Sequence, residues 1–155
     1  MLLLCLLSSR AFAQEGWPSL RHGFRDLKWG DRIDNRPDFT EYEGEYGSHR
    51  TGVTDYIRRN DTMRFGNLAL NQIVYRTASD RLVGVILYPT PGQRDVLQII
   101  SRTLGPPVVR QTEYQPWYSW RFKEPAVVSV LFDLASVRIF ALGVESSLIR
   151  NPWKQ

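Results

Sequence analysis

Two histidines, one cysteine, an acidic run and an aromatic cluster beside arginine are the places where this chain could do chemistry. His22 and His49 could each act as a general base or a metal ligand. Neither belongs to an H-x-x-x-H, H-E-x-x-H or Cys/His spacing, so zinc lacks a ligand set in the sequence. A Ser-His-acid triad would need a serine displayed on a G-x-S-x-G elbow, and Gly143–Ser147 reads G-V-E-S-S. Phosphate-cradling glycine loops are absent too. Cys5 stands inside the apolar run Leu2–Leu7, so the chain beyond it has no thiol for a disulfide, a metal or a nucleophile. Asp31, Asp34, Asp38, Glu41, Glu43 and Glu45 offer oxygens for a hard cation such as Ca²⁺. Their spacing matches no EF-hand, and the stretch reads as a solvated acidic loop. No catalytic residue, no metal site and no cofactor site are therefore expected.

The densest feature is aromatic: Tyr114, Trp117, Tyr118, Trp120 and Phe122. On a strand, Tyr118, Trp120 and Phe122 share one face, and Trp117, Ser119 and Arg121 share the other. The first set carries more apolar surface and should face the core. Arg121 would be costly to bury without a carboxylate. Trp117 and Arg121, with Tyr114 leading into them, are thus the candidate partner-binding residues, because a large exposed aromatic beside arginine is a typical interface anchor.

The elements that must position these residues follow from pattern. Phe24–Trp29 alternates as a short strand and Gly30 breaks it. Asp31–Phe39 permits a short helix that Pro37 limits, and Thr40–Gly52 reads as loop. Strands are expected at Val53–Arg59, Met63–Phe65, Leu68–Thr77 and Leu82–Tyr88, the last so continuously apolar that both its faces should be covered. One helix is clear, Thr90–Leu104. Thr90 caps it, Pro91 opens it and Gln93 completes a capping box. Val96, Leu97, Ile100 and Leu104 share a face, and Gly105 with Pro106-Pro107 stops it. Trp117–Phe122, Ala126–Asp133 and Val137–Val144 are three further strands. The expected fold is α+β in two layers, an antiparallel sheet with one principal amphipathic helix packed on one face.

With 155 residues, one domain is expected on a prior of about 100–200 residues each. A 43% hydrophobic share and five Trp are enough for a core, which excludes disorder. No apolar run reaches the ~18–20 residues of a membrane span. The net charge of +4 comes with no dense basic run, so nucleic acid is not an expected partner. Met1–Ala13 combines an apolar run with Ala11-Phe12-Ala13, the small-x-small form of a signal-peptidase site, which would leave Gln14 first. The expected organisation is a signal peptide at 1–13, a polar lead-in at 14–23, one domain at 24–144 and a tail at 145–155.

Phe24-Arg25-Asp26-Leu27-Lys28-Trp29-Gly30 resembles the F-x-x-[IL]-x-W-G opening of a family of small, functionally uncharacterised exported bacterial domains. The parallel runs on through Tyr56-Ile57-Arg58-Arg59-Asn60-Asp61, Phe65-Gly66, Ile73-Val74-Tyr75, Leu82–Ile86, Leu104-Gly105 and Trp120. It departs after Gly30, where Pro37 stands in place of a cleaner helix. The resemblance implies export and the α+β fold, and it contributes no activity. The expected function is a non-catalytic periplasmic or secreted domain that binds another envelope protein, as an accessory subunit of a larger complex. A carbohydrate or cell-wall binding module using Trp117 and nearby Tyr residues is the alternative. A hydrolase with an unrecognised site is a third reading.

Overall fold

The computed structural model describes residues 16–43, 52–91, 95–123, 128–133 and 135–141. The expected signal segment 1–13, the tail 145–155, His49 and residues 92–94 of the expected helix lie outside these residues. In chain order the strands are β1 Gly23–Phe24, β2 Leu27–Lys28, β3 Phe39–Glu41, β4 Val53–Arg58, β5 Arg64–Phe65, β6 Leu68–Ala78 and β7 Arg81–Pro89. The helix α1, Val96–Leu104, follows, and then β8 Val108–Arg110, β9 Trp117–Phe122, β10 Val128–Phe132 and β11 Val137–Ala141. A single 3-10 turn, Trp17–Arg21, precedes them all.

Among the described residues the fold is mostly antiparallel β-sheet with one α-helix. The main sheet runs β3-β4-β6-β7-β11-β10-β9-β8, with β5 paired to β6 off that path. It is two local meanders joined at one seam, β7 against β11, where Val85 pairs with Ile139. Inward-facing Ile73, Tyr75, Val85, Leu87, Val130, Phe132 and Ile139 form one core cluster with Trp17, Leu20, Phe24, Leu27, Ile33, Val96 and Ile100. The central strand is covered on both faces, as its composition implies. Leu82–Leu87 is buried throughout, and Val74, Ile86 and Phe140 are buried on the face opposite Val85. Phe140 lies against Gly84, where a Cβ would come within 2.6 Å of the ring.

Three expectations are corrected. Phe24–Trp29 is not one strand but a tight hairpin, β1 against β2. Arg25 turns it at a φ of 58°, and a Cβ on Gly23 would sit 1.9 Å from the Leu27 carbonyl oxygen. Asp31–Phe39 is not helical. Gly30 donates to the Leu82 carbonyl and Leu82 donates to that of Asp31, both at 2.8 Å, so this stretch runs beside the start of β7 and sends Ile33 into the core. Its end, Phe39, opens β3, Phe39–Glu41, which takes Thr40 and Glu41 out of the expected loop. The helix begins later than expected. Thr90 is still tied to the sheet by a bond from its N–H to the Ala69 carbonyl, and the first helical bond runs from Ile99 to Asp95. Asp95 is the N-cap, in the left-handed region.

The stretch Phe24–Gly30 builds one corner of the fold. Phe24 and Leu27 are buried, the Trp29 indole N–H donates to the Leu20 carbonyl at 2.7 Å, and Gly30 has a φ of 91°. Arg25 reaches inward from the hairpin tip. Its Nη1 lies 2.6 Å from Asp61 Oδ1, and its Nη2 donates to the carbonyls of Thr62 and Arg64. The Tyr75 hydroxyl donates to Asp61 Oδ2 at 2.6 Å. The side chains of Arg25 and Asp61 are 6% and 2% exposed, so this group is a buried clamp between the hairpin and the sheet.

Candidate partner-binding surface

β9 has the bounds and the alternation that its residues dictate. Trp120 is buried, and its indole N–H donates to the Gly105 carbonyl at 2.8 Å, which ties the strand to the end of α1. Tyr118 and Phe122 pack partly buried against the core beside it. Trp117, Ser119 and Arg121 take the other face. Arg121 is exposed and Trp117 is half-buried. Four residues of strand separate their Cα atoms by about 13 Å. The guanidinium over the Trp117 ring belongs to Arg138, 5.9 Å from the ring centroid. Arg138 is itself held by Asp133 at 2.7 Å and by the Ser136 hydroxyl at 3.1 Å.

Tyr114 sits in the β8–β9 connection and is 90% exposed. A side chain-to-backbone clamp fixes that turn. The Thr112 hydroxyl donates to the Gln115 carbonyl at 2.5 Å and accepts from the Gln115 N–H at 3.2 Å. The phenol is therefore presented on a pinned turn, and little chain entropy opposes its use as an anchor. Beside it, Val108 is 64% and Val109 49% exposed. Of the four exposed large hydrophobic residues among those described, three thus lie within seven positions at one end of the sheet.

Sequence reasoning missed β8. Three residues after Pro106-Pro107 show no measurable alternation, and the one available signal was the β-branched pair Val108-Val109 before Arg110. β8 pairs with β9 alone among the described residues and forms the end of the sheet.

Arg76 clasps Asp55 with two bonds of 2.8 Å, and Arg58 holds Asp38 at 2.7 Å and Asp26 at 2.5 Å. Arg36 reaches Asp26, and Arg32 reaches Asp34. The hydrogen bond from Arg58 holds the Asp26 carboxyl below its ordinary value. Arg110, Arg121 and Lys123, all exposed, make no ion pair with another described residue. The first three acids of the acidic run are held locally as well: Asp31 accepts from the Lys28 N–H, Asp34 from Arg32 and Asp38 from Arg58.

The surface around β8 and β9 can bury apolar area and offer guanidinium forks to a carboxylate. His22 is exposed at the end of the 3-10 turn. Among the described residues no three His, Cys, Asp or Glu converge on a point that could hold a metal. No family model matches the sequence, and no curated protein or solved structure matches it either.

Proposed function

We propose that the chain is a non-catalytic domain of the bacterial envelope that binds another protein through the β8–β9 end of its sheet, as an accessory subunit. In this reading it is a two-layer α+β unit in which α1 and the 3-10 turn cover one face. The observation that carries it is the coincidence at one sheet end of Val108, Val109 and the pinned Tyr114 with Arg110 and Arg121, cations that have no ion-pair partner among the described residues. Aromatic and arginine side chains are the types that dominate interface energetics. The signal-like Met1–Ala13 supports export. Among the described residues no helix is long and apolar enough to cross a membrane.

Glycan binding is the second reading, since Trp117 is only half-buried on the strand face it shares with Arg121. The Arg138 guanidinium over the Trp117 ring, fixed by Asp133, occupies surface on which a sugar would stack, and this favours the protein partner.

A photo-crosslinking amino acid at position 114, with position 98 on exposed α1 surface as control, tests the reading in the envelope fraction of the native cell. The expected result is one discrete protein adduct at 114 that is lost in a Trp117→Ala, Arg121→Ala background. Equal adducts at 114 and 98, or none at either, would overturn it. Intact mass of the exported protein tests the cleavage site: it should begin at Gln14, and a mass that includes Met1–Ala13 refutes cleavage.

A further inference from the structure

The two ends of the main sheet are not alike. At β3, Phe39 is flanked by the guanidinium groups of Arg36 and Arg58, 5.6 and 5.4 Å from its ring centroid, and Thr40 and Glu41 are exposed and polar. That edge is guarded by charge, as soluble sheets guard edges against pairing with another chain. At β8 Val108, Val109 and Arg110 are all exposed, so two apolar side chains stand beside a single charge, and the free side of the strand carries backbone donors and acceptors that no described strand uses. Arg110 belongs to β8 itself and Arg121 to the neighbouring β9, with Glu113 as the one acid in the described β8–β9 connection.

We propose that β8 receives an extended acidic segment of the partner, added to the sheet as a further antiparallel strand. This deepens the protein-binding reading above and rests on it. Register sets the chemistry of the segment. Side chains opposite Val108 and Arg110 fall on the face of Trp117 and Arg121, because Val108 pairs with Ser119 and Arg110 with Trp117. An acid there meets Arg110 directly, with Arg121 on the same face. The side chain opposite Val109 falls on the face of Tyr118 and is apolar or β-branched. Main-chain bonds hold such a strand, and alternate side chains select it. β8 offers a ladder of only three residues, so charge contributes a large share of the affinity and binding weakens with salt.

The probes are acetylated eight-residue peptides that alternate Glu with Val or Lys with Val, titrated into the full chain and read by amide chemical shifts and hydrogen exchange. The Glu–Val peptide should bind and protect amides of Val108–Arg110. Arg110→Glu should weaken it by about tenfold, a change worth about 1.4 kcal/mol. Arg110 is exposed, so an unchanged melting temperature will show that this variant is folded. N-methylation of the peptide's Val residues should abolish binding. Equal binding of the Lys–Val peptide, protection elsewhere than β8, or full binding of the N-methylated peptide would each overturn the proposal. Protection of β8 that grows with protein concentration alone would assign the edge to a second copy and overturn it too. If no peptide binds while the adduct at 114 forms, strand addition fails and the binding surface stands. If peptides bind at β8 while no adduct forms, the protein-partner reading fails.

Discussion

Replacing Asp61 with alanine should destabilise the fold by about 3–5 kcal/mol, the cost of stripping one partner from a buried ion pair. The magnitude follows from what the carboxylate holds. One oxygen lies 2.6 Å from Arg25 Nη1 and the other accepts the Tyr75 hydroxyl at 2.6 Å. With both charged side chains nearly inaccessible, water cannot replace the lost partner. Arg25 would keep the carbonyls of Thr62 and Arg64, but its Nε already lacks an acceptor and would gain none. Tyr75→Phe removes only a hydrogen bond to a charged group and should cost about 1.5–3 kcal/mol. Because both changes act on one network, the double variant should lose less than the sum of the two. Urea unfolding at pH 7, followed by fluorescence of buried Trp17 and Trp120, measures all three. An Asp61→Ala loss below about 1 kcal/mol, or a loss equal to that of Tyr75→Phe, would refute the uncompensated-charge argument. Alkaline pH gives an independent readout. Burial, reinforced by the Asp61 charge, pushes the Tyr75 phenol well above its ordinary value near 10. Above about pH 10 the unfolded chain releases a phenol proton that the folded chain keeps, so stability falls as pH rises. Tyr75→Phe should make that fall shallower.

Ile100→Ala should cost about 2–5 kcal/mol and exposed Arg102→Ala less than about 0.5; equal losses in denaturant melts would refute the assigned helix face. Gly23→Ala forces the hairpin apart at a backbone oxygen that cannot yield, and should cost at least the ~1–3 kcal/mol of ordinary overpacking, read from the urea midpoint. The bond from Arg58 depresses the Asp26 carboxyl, so its contribution is present above the unfolded value of about 3.9 and lost as pH falls through the lower folded value. The stability gap between the native chain and Arg58→Met should therefore narrow between about pH 5 and pH 2, and a constant gap in acid would show that Asp26 is not the partner.

Where sequence reasoning succeeded, one local pattern was enough. Trp117–Phe122 was legible because its alternation separates three bulky apolar residues from Ser119 and Arg121, and the burial of Trp120 follows that split. Leu82–Leu87 was legible because an unbroken apolar run has no solvent face to offer. Where it failed, the deciding interaction came from elsewhere in the chain. Arg25 gave no warning of its left-handed backbone; its side chain is anchored to Asp61, Thr62 and Arg64, nearly forty residues on. The stretch after Gly30 kept no helix because β7 takes its backbone groups. At the candidate site, the exposure of Tyr114 follows from a hydroxyl clamp, and the cation on Trp117 comes from Arg138 on β11, two strands away from β9. Spacing within β9 pointed to Arg121 instead.

The seam between β7 and β11 also bears on how fast the chain folds. Each meander pairs strands that are neighbours or near neighbours in sequence, but Val85 and Ile139 are more than fifty residues apart. Local hairpins close early, because short loops cost little entropy, and the seam must wait for the longest closure in the sheet. Closing the seam, where Leu87 meets Val137 and Gly84 meets Phe140, is then the slow step, so truncations there should slow refolding as well as speed unfolding, and the seam sets how fast the domain forms.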